Sequence, residues 1–422
     1  MMKKHFFWGL APLILLAAFL TLVHDDVATA DETAVEMTDW SNFNRLSISG
    51  QKAALPSIAL QPNGNLHVAF TQGAPNEDPY YVTSTDGGAT WSTPQVISTN
   101  SATTIVDKVD VAVDNNGKVH AAWIEDNTSN NTHTLMYASQ SGSSWGPAEP
   151  VATVTKSATS LLQQPSLVVS GGQVFMVWTS GIDVQFAQRQ AGAIWTPQKI
   201  GEYALPEIAI DDTGALHIVF VDELSKNFVQ YIQSSNNGAT WSNAIALSPF
   251  AKDVQDITLI TNGTAVHVAY GAKDTSASPS VAYYANCSSN CTSSASWSAG
   301  EVVTSLEVGT RPADAILLSP SIALTAQDEP LIFYHGVLPE NLNFEQVIGS
   351  CYDADRNQGK NFKLPTPFTE RMVKPQIVYA NGDLHVVYER IKGQAATATF
   401  QEIHYAKLDV SCHTIYLPII FK

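Results

Sequence analysis

The chain has 422 residues, of which 45% are hydrophobic and 14% are charged, and its formal net charge is -17. This acidic balance argues against a nucleic-acid partner, whose phosphates are bound by clustered Lys and Arg, and against docking on an anionic membrane surface. The composition does not fit a disordered chain, and the length allows one large domain or two to three average ones.

The N-terminus has the pattern of an export signal. Two lysines precede an apolar run over residues 10–23, and the small residues of Ala28-Thr29-Ala30 follow in the pattern that a signal peptidase cuts. The run is shorter than the about 20 apolar residues of a membrane span, which disfavours the alternative of an uncleaved anchor. We expect residues 1–30 to be a signal peptide cleaved near Ala30, no membrane span in the mature chain, and a secreted or cell-surface protein.

Tryptophans recur along the chain and define a repeat. They are 51, 54, 50, 46 and 56 residues apart, at Trp40, Trp91, Trp145, Trp195, Trp241 and Trp297. Between them, two apolar strands joined by a tight turn recur in seven copies, and the turns carry pairs such as Asn-Gly that favour hairpins. A unit of four short strands over roughly 40 to 50 residues is typical of a β-propeller blade.

The two ends of the repeat complement each other. The last copy, residues 375–408, lacks a Trp-led fourth strand, whereas the segment that begins at Trp40 is a fourth strand with no preceding three. Joining them closes the ring and removes exposed sheet edges. We therefore predict an all-β fold with few helices: a single seven-bladed β-propeller of four-stranded antiparallel blades over residues 31–410, its last blade closed by the N-terminal strand. Residues 411–422 form a C-terminal tail, and we expect a monomer.

Two of the turns that precede these tryptophans share the motif Ser-x-Asp/Asn-x-Gly-x-Thr-Trp. Its residues are Ser84, Asp86, Gly88, Thr90 and Trp91 in one copy and Ser234, Asn236, Gly238, Thr240 and Trp241 in the other. The motif resembles the Asp-box (BNR repeat) of the sialidase-like β-propeller superfamily. A short Asp or Asn side chain can bond the backbone N–H groups of its own turn. The resemblance implies that these boxes are structural turns on the face opposite the ligand site.

The loops after each second strand and the crossings between blades share that opposite face, here called the loop face. The chain has only six Arg, and three of them fall on the loop face near blades six and seven. Guanidinium groups bind carboxylates bidentately, so the three could clamp an anionic sugar. The alternative is that Arg371 and Arg390 pair with Glu370 and Glu389 in solvated loops. The ligand-binding candidates are Arg311, Arg371, Arg390, Glu389, His335, Asp222, Glu223, Glu125 and Asp126.

The resemblance also implies what a working sialidase would need. Three Arg bind the substrate carboxylate, a Tyr activated by Glu is the nucleophile, and an Asp in a loop is the general acid. The first Arg of such enzymes lies in a Phe/Tyr-Arg-Ile-Pro stretch before the first blade, where this chain reads Ser-Gly-Gln-Lys-Ala-Ala-Leu at residues 49–55. We therefore assign no catalytic residue.

His and Cys residues point to structural roles. One His in each of five second strands favours packed, hydrogen-bonded side chains over a ring of metal ligands, and no metal or cofactor is expected. These residues are His67, His120, His217, His267 and His385. The four Cys fit an exported protein; of the three possible connectivities we favour a local Cys287–Cys291 bond and a Cys351–Cys412 bond.

Three functions are compatible with this sequence. We prefer a non-catalytic extracellular module that binds a glycan or another surface polymer. The first alternative is a glycoside hydrolase of the exo-sialidase type, or a polysaccharide lyase, that acts on an anionic glycan. The second is a scaffold that binds proteins. Spacing in the sequence cannot show whether catalytic groups from different blades lie within hydrogen-bond reach of one another. It therefore does not decide among the three functions.

Overall fold

A computed structural model describes most of the chain between Trp40 and Val410. The described residues are 40–73, 77–100, 103–157, 160–190, 194–222, 228–248, 253–273, 281–298, 301–302, 319–336, 345–353, 358–365, 370–393 and 400–410. They all lie in one compact unit, Ala34–Lys422. The predicted signal peptide (residues 1–30) and C-terminal tail (residues 411–422) lie outside the described residues. In the part of the chain that is described, no helix has the length and apolar character needed to cross a membrane.

Within the described residues, short strands make up nearly all of the regular structure, together with one 3-10 helix at Ser294–Ser296. The strands are, in chain order, β1 (Trp40–Arg45), β2 (Ala53–Leu60), β3 (Leu66–Gln72), β4 (Asp78–Ser84), β5 (Gln95–Val96), β6 (Thr104–Val113), β7 (Val119–Asn127), β8 (Thr132–Ser141), β9 (Ser144–Trp145), β10 (Glu149–Thr155), β11 (Leu162–Ser170), β12 (Gln173–Ser180), β13 (Asp183–Gln190), β14 (Gln198–Gly201), β15 (Tyr203–Ile210), β16 (Leu216–Asp222), β17 (Val229–Ser234), β18 (Ile245–Ala246), β19 (Asp253–Asn262), β20 (Ala265–Lys273), β21 (Val281–Cys287), β22 (Glu301–Val302), β23 (Ser321–Leu324), β24 (Pro330–Gly336), β25 (Gln346–Asp353), β26 (Gln358–Lys363), β27 (Glu370–Ala380), β28 (Asp383–Lys392) and β29 (Phe400–Asp409).

The strands form seven antiparallel sheets, the blades. Blade 1 is β2–β5, blade 2 is β6–β10, blade 3 is β11–β14, blade 4 is β15–β18, blade 5 is β19–β22, blade 6 is β23–β26, and blade 7 is β27–β29 with β1. The four main strands of blade 2 are β6, β7, β8 and β10, and the two-residue β9 also pairs with β8. The first strands of consecutive blades contact one another around the ring, and β27 contacts β2 to close it. The predicted seven-bladed propeller is confirmed.

The N-terminal strand completes the last blade, as predicted. β1 pairs antiparallel with β29, so that Trp40 lies opposite Leu408. The Trp40 indole packs edge-on against Phe333 of blade 6, with 6.3 Å between ring centroids, and its Nε1–H donates to the Lys363 carbonyl at 3.2 Å. The first described strand of the chain is thereby bound to both of the last two blades.

The other tryptophans of the repeat pack between blades. Each lies edge-on against an aromatic ring of the preceding blade, at centroid distances of 4.8–5.4 Å. The pairs are Trp91–Tyr405, Trp145–Tyr81, Trp195–Tyr137, Trp241–Phe186 and Trp297–Tyr231. Seven clusters of buried apolar residues fill the spaces between neighbouring blades. The repeated Trp therefore reflects one contact made at successive interfaces.

The five recurring histidines share a second repeated contact. Each second-strand His bonds through Nδ1 to the hydroxyl of a third-strand Tyr in its own blade, at 2.6–2.7 Å. The pairs are His67–Tyr81, His120–Tyr137, His217–Tyr231, His267–Tyr284 and His385–Tyr405. Burial lowers the pKa of His67, His120 and His385 to about 4. These side chains are neutral packing groups at neutral pH.

The two motif-bearing turns connect the third and fourth strands of blades 1 and 4. In the first, Asp86 Oδ1 accepts hydrogen bonds from the Ser84 hydroxyl at 2.8 Å and the Thr90 N–H at 2.9 Å. In the second, Asn236 Oδ1 accepts the Thr240 N–H at the same 2.9 Å. Hydrogen bonds, first of all from Thr90, lower the pKa of Asp86 to about 2. Both side chains stabilise their own turn.

A disulfide joins Cys287 and Cys291, whose Cα atoms are 5.7 Å apart, in the connection between β21 and β22. The Trp297 indole donates to the Cys291 carbonyl at 2.9 Å, which ties the disulfide loop to the aromatic contact of blade 5. Cys351 is also disulfide-bonded. Its predicted partner, Cys412, lies outside the described residues, so the pairing of these two remains a prediction.

Candidate functional site

A cavity of ≈ 290 Å³ lies on the propeller axis and is lined by residues from the first-strand region of every blade. We call it the axial cavity. Each first strand has a polar residue at one shared register position, opposite the middle of the second strand. These are Ser57, Asp110, Ser166, Glu207, Thr258, Ser321 and Gln376. Five of the seven line the axial cavity directly.

This polar ring joins neighbouring blades. The Val111 N–H donates to Ser57 at 3.3 Å, and the Leu167 N–H donates to Asp110 at 2.9 Å. The same contact recurs at two further junctions, where Ile208 donates to Ser166 and Ile377 donates to Ser321. A first strand has no pairing partner on its inner side, so its N–H groups need such acceptors. Part of the polarity at the axis is thus structural.

The first strands also bulge where they enter the axial region. Non-Gly residues with positive φ angles mark six of these points: Leu55, Lys108, Gln164, Leu205, Ser319 and Lys374. Register shifts accompany the bulges in the first strands of blades 1 to 5 and 7. A bulge turns a side chain out of the regular alternation, and three residues at the bulges, Lys108, Gln164 and Lys374, line the cavity.

Charged groups of both signs converge in the axial cavity. The Lys108 ammonium lies 3.7 Å from the nearest Glu207 carboxylate oxygen. Asp110 accepts the Ser57 hydroxyl at 2.7 Å, and Asp256 accepts the Ile257 N–H at 3.0 Å. Burial raises the pKa of Glu207 to about 7, although Lys108 opposes the shift. Burial likewise raises the pKa values of Asp110 and Asp256.

A second cavity of ≈ 590 Å³, here called the channel mouth, adjoins the axial cavity. The two share Leu55, Lys108, Gln164 and Gln255 as lining residues. The channel mouth lies on the loop face, because residues near the starts of first strands and the ends of second strands line it. One of them is Thr179, which is 2% exposed and whose hydroxyl has no hydrogen-bond partner in the described structure.

The two described arginines among the predicted ligand residues are each held by a carboxylate. Arg371 bonds Glu345 through Nε and, at 2.8 Å, through Nη2. Arg390 bonds Glu370 in the same bidentate way, with its Nη2 also at 2.8 Å. The partners differ from the predicted alternative, since Glu345 and not Glu370 pairs with Arg371. Arg311 lies outside the described residues, and an anion clamp built by the three remains a prediction.

His335 and Glu389 are packed near the same pair of blades. Burial lowers the pKa of His335 to about 3, and its Nδ1 accepts the Lys374 N–H at 3.3 Å. The Glu389 carboxylate accepts the Leu55 N–H at 2.7 Å and lies 3.3 Å from the Lys374 ammonium. Glu389 therefore joins blade 7 to blade 1 and neutralises a lysine of the axial cavity.

The remaining predicted acids lie on other blades. Glu125 accepts the Trp123 indole N–H at 2.9 Å, and Asp126 accepts the Lys156 ammonium at 2.7 Å, both in blade 2. Asp222 ends β16, and Glu223 lies outside the described residues. The structure thus brings His335, Glu389 and Arg371 to blades 6 and 7 and keeps the acids of blade 2 in contacts of their own.

Sequence reasoning missed the charged residues of the axial cavity, above all Lys108, Glu207 and Asp256. A signal was available in the repeat: in Pro56-Ser57 and Pro206-Glu207 a polar residue follows proline inside an otherwise apolar first strand. A polar residue at one recurrent position of an apolar strand indicates a shared polar environment. Among the residues that the structure describes, no group of three or more His, Cys, Asp or Glu is arranged to hold a metal ion.

The raised pKa of Glu207 predicts how pH affects stability. Its pKa is about 7 in the folded protein against 4.5 as the ordinary value. The folded state therefore binds more protons between these values, and the contribution of Glu207 to stability falls as pH rises through that range. Glu207→Gln cannot ionise. We expect it to match the wild type at pH 5 and to melt at a higher temperature than the wild type at pH 8.

Thermal melts across pH 5 to 8 measure this difference. The matched control is Glu202→Gln, an exposed carboxylate of the same region, for which the difference from the wild type should not change over this pH range. A Glu207→Gln difference that is equally independent of pH would contradict the raised pKa.

Comparison with known proteins identifies relatives of the fold. No family model and no curated protein sequence matches the chain. Among solved structures, the NanB sialidase from Streptococcus pneumoniae has 11% sequence identity and a TM-score of 0.52, with 89% of this chain and 71% of that chain covered. An α-L-arabinofuranosidase from Fusarium graminearum has 10% identity and a TM-score of 0.50, with 87% and 98% covered. The chain therefore has a sialidase-like β-propeller fold.

Proposed function

We propose that this protein is a secreted, non-catalytic β-propeller that binds a glycan in the channel mouth. The observation that carries the proposal is the channel mouth itself, a cavity of ≈ 590 Å³ on the loop face that exposed amide and carboxylate residues line. Gln163, Gln164 and Asp107 line the same cavity. Amides, hydroxyls and carboxylates that converge in a cleft are the groups that bond sugar hydroxyls.

Two further observations support a carbohydrate ligand. The turns at Asp86 and Asn236 have the motif that resembles the Asp-box of sialidase-like propellers. The named structural neighbours, a sialidase and an α-L-arabinofuranosidase, are enzymes that act on glycans. At such low identity they support the fold, so the ligand class rests on the residues of the channel mouth.

The charge of the site favours a neutral or cationic glycan over an anionic one. The described arginines of the loop-face prediction, Arg371 and Arg390, are each neutralised by a glutamate. Asp107 lines the channel mouth, and Asp110 and Glu207 line the cavity beneath it. A carboxylated sugar entering there would meet like charges at short range.

The first experiment is a glycan array with the wild type, followed by calorimetry on the best neutral oligosaccharide. Gln163→Ala and Asp107→Ala should each weaken binding about three- to tenfold, the range expected for one lost hydrogen bond. Gln190→Ala removes an exposed amide at the opposite end of blade 3 and should have no effect.

Arg390→Ala tests the predicted arginine clamp in parallel, and a loss of binding in that variant alone would place the ligand there. Binding that both channel-mouth variants leave unchanged would contradict the proposed location. No binding to any glycan would contradict the carbohydrate function and favour the protein-binding scaffold.

A glycoside hydrolase is the second candidate, because one observation favours it. Glu207, with a pKa of about 7, shares a cavity with Asp110 and Asp256, and a general acid paired with a second carboxyl is what glycoside hydrolysis needs. Turnover of chromogenic glycosides by the wild type, lost in Glu207→Gln, would favour the enzyme over the binding module.

A further inference from the structure

The two axial spaces hold more carboxyl groups than cations. Asp107, Asp110, Glu207 and Asp256 line the axial cavity or the channel mouth, as do two lysines. One of them, Lys374, has its ammonium 3.3 Å from the buried carboxylate of Glu389. In the described structure, the two lysines of these spaces thus face five carboxyl groups, Glu389 included.

Lys108 does not saturate the acid closest to it. Its ammonium is 3.7 Å from Glu207, beyond the 2.7–3.2 Å range of an N–H···O hydrogen bond. Both oxygens of Asp110 already accept bonds, from Ser57 and from the Leu167 N–H. Glu207 accepts the Ser166 hydroxyl, and because a carboxylate has about four acceptor sites, it can still accept a hydrogen bond from a ligand.

We infer that the axial cavity binds a protonated amine, and that the glycan of the channel mouth carries it as an amino sugar whose nitrogen is not acylated. This inference rests on the proposed function, because the sugar must first occupy the channel mouth. The axial cavity of ≈ 290 Å³ is close to the lower limit of about 300 Å³ for small-molecule sites. Shared lining residues make it continuous with the channel mouth.

An ammonium group fits the chemistry of this space. It donates up to three hydrogen bonds and accepts none, so it complements carboxylates and side-chain amides. Its charge offsets the surplus of negative charge beside Lys108. An N-acetyl group on the same nitrogen removes the charge and two of the donors. The structure thus favours the free amine over its acetylated counterpart.

Binding of an ammonium group should also release a proton from Glu207. The groups that face Glu207 are Lys108, Asp110, Asp256 and the Ser166 hydroxyl. The titratable groups beyond them are Asp107, Lys374, Glu389 and the neutral His335. Burial and the neighbouring aspartates raise the pKa of Glu207, and an added positive charge lowers it again. At pH 7 the ammonium therefore displaces a proton from Glu207.

The experiment is calorimetry at pH 7 with a glucosamine tetramer and an N-acetylglucosamine tetramer, in two buffers of different ionisation enthalpy. We expect the wild type to prefer the amine about tenfold or more, the size of one hydrogen bond to a charged group. Glu207→Gln should reduce the ratio of the two affinities about tenfold. It should also release fewer protons on binding than the wild type does, because only the sugar amine can then exchange a proton. Lys108→Met should raise the ratio, and Glu202→Gln should leave it unchanged.

Each other outcome has a definite meaning. Equal affinity for the two tetramers, or a ratio that Glu207→Gln leaves unchanged while its melting curve shows a folded protein, overturns the inference and leaves the proposed function intact. Failure of both tetramers to bind, together with an empty glycan array, overturns the proposed function itself. If a simple diamine binds as tightly as the glucosamine tetramer, the inference that the ligand is a sugar is wrong.

Discussion

Deletion of residues 31–49 is expected to prevent the formation of a stable, monodisperse propeller. The deletion removes β1, which supplies the fourth strand of blade 7. It removes Trp40, which is 8% exposed and packs on Phe333, and Leu46, whose N–H donates to the Ile403 carbonyl at 2.8 Å. β29 would then become an uncovered sheet edge, and such edges pair with other chains.

Calorimetry and light scattering coupled to gel filtration measure the effect. Loss of the buried Trp alone costs about 3–5 kcal/mol, so we expect either no cooperative transition or a melting temperature lower by roughly 10 °C, together with oligomers. Deletion of residues 31–38 keeps β1 and is the matched control. A truncated chain that lacks residues 31–49 and still melts as a monomer at the wild-type temperature would show that β1 is not needed for closure.

The sequence was sufficient to predict the fold because its repeated residues mark repeated contacts. Trp145 occurs about one blade after Trp91, since each packs on the third-strand aromatic of the preceding blade, Tyr81 and Tyr405 respectively. The recurring His likewise pairs with a Tyr of its own blade. A contact that is repeated at each interface produces a periodic pattern in the sequence, and the number of repeats predicts the number of blades.

The site was less predictable because its groups are brought together by the ring. Lys108 and Glu207 are 99 positions apart in the chain, yet they lie close together at the axis. The bulges that place them there have no recognisable turn motif in the sequence. Conversely, the scarcity of Arg drew attention to Arg371 and gave no sign that Glu345, 26 residues away, neutralises it. Local patterns predict local structure, whereas convergence across blades depends on the closed ring.

Substitution of Gly88 by Ala should destabilise the propeller far more than the same change at the adjacent Gly87. Both residues have positive φ angles, +83° and +65°, so each Ala incurs the cost of the left-handed conformation, about 1–2 kcal/mol. A Cβ at Gly87 would meet no atom within 4 Å, whereas one at Gly88 would overlap the hydroxyl of Tyr405. Overpacking of this kind adds about 1–3 kcal/mol.

Chemical denaturation of the two variants measures this difference, and Gly87→Ala is the internal control for backbone conformation. Tyr405 also bonds His385 at 2.7 Å and packs on Trp91, so a displaced ring would disturb the junction between blades 7 and 1. A Cβ at Gly88 would also overlap ring carbons of Tyr405, so Gly88→Ala should cost less in a Tyr405→Leu background, where the ring is gone, than in the wild type. If Gly88→Ala costs no more than Gly87→Ala in either background, the close approach of this turn to Tyr405 does not stabilise the junction, and the glycine is there for its backbone conformation alone.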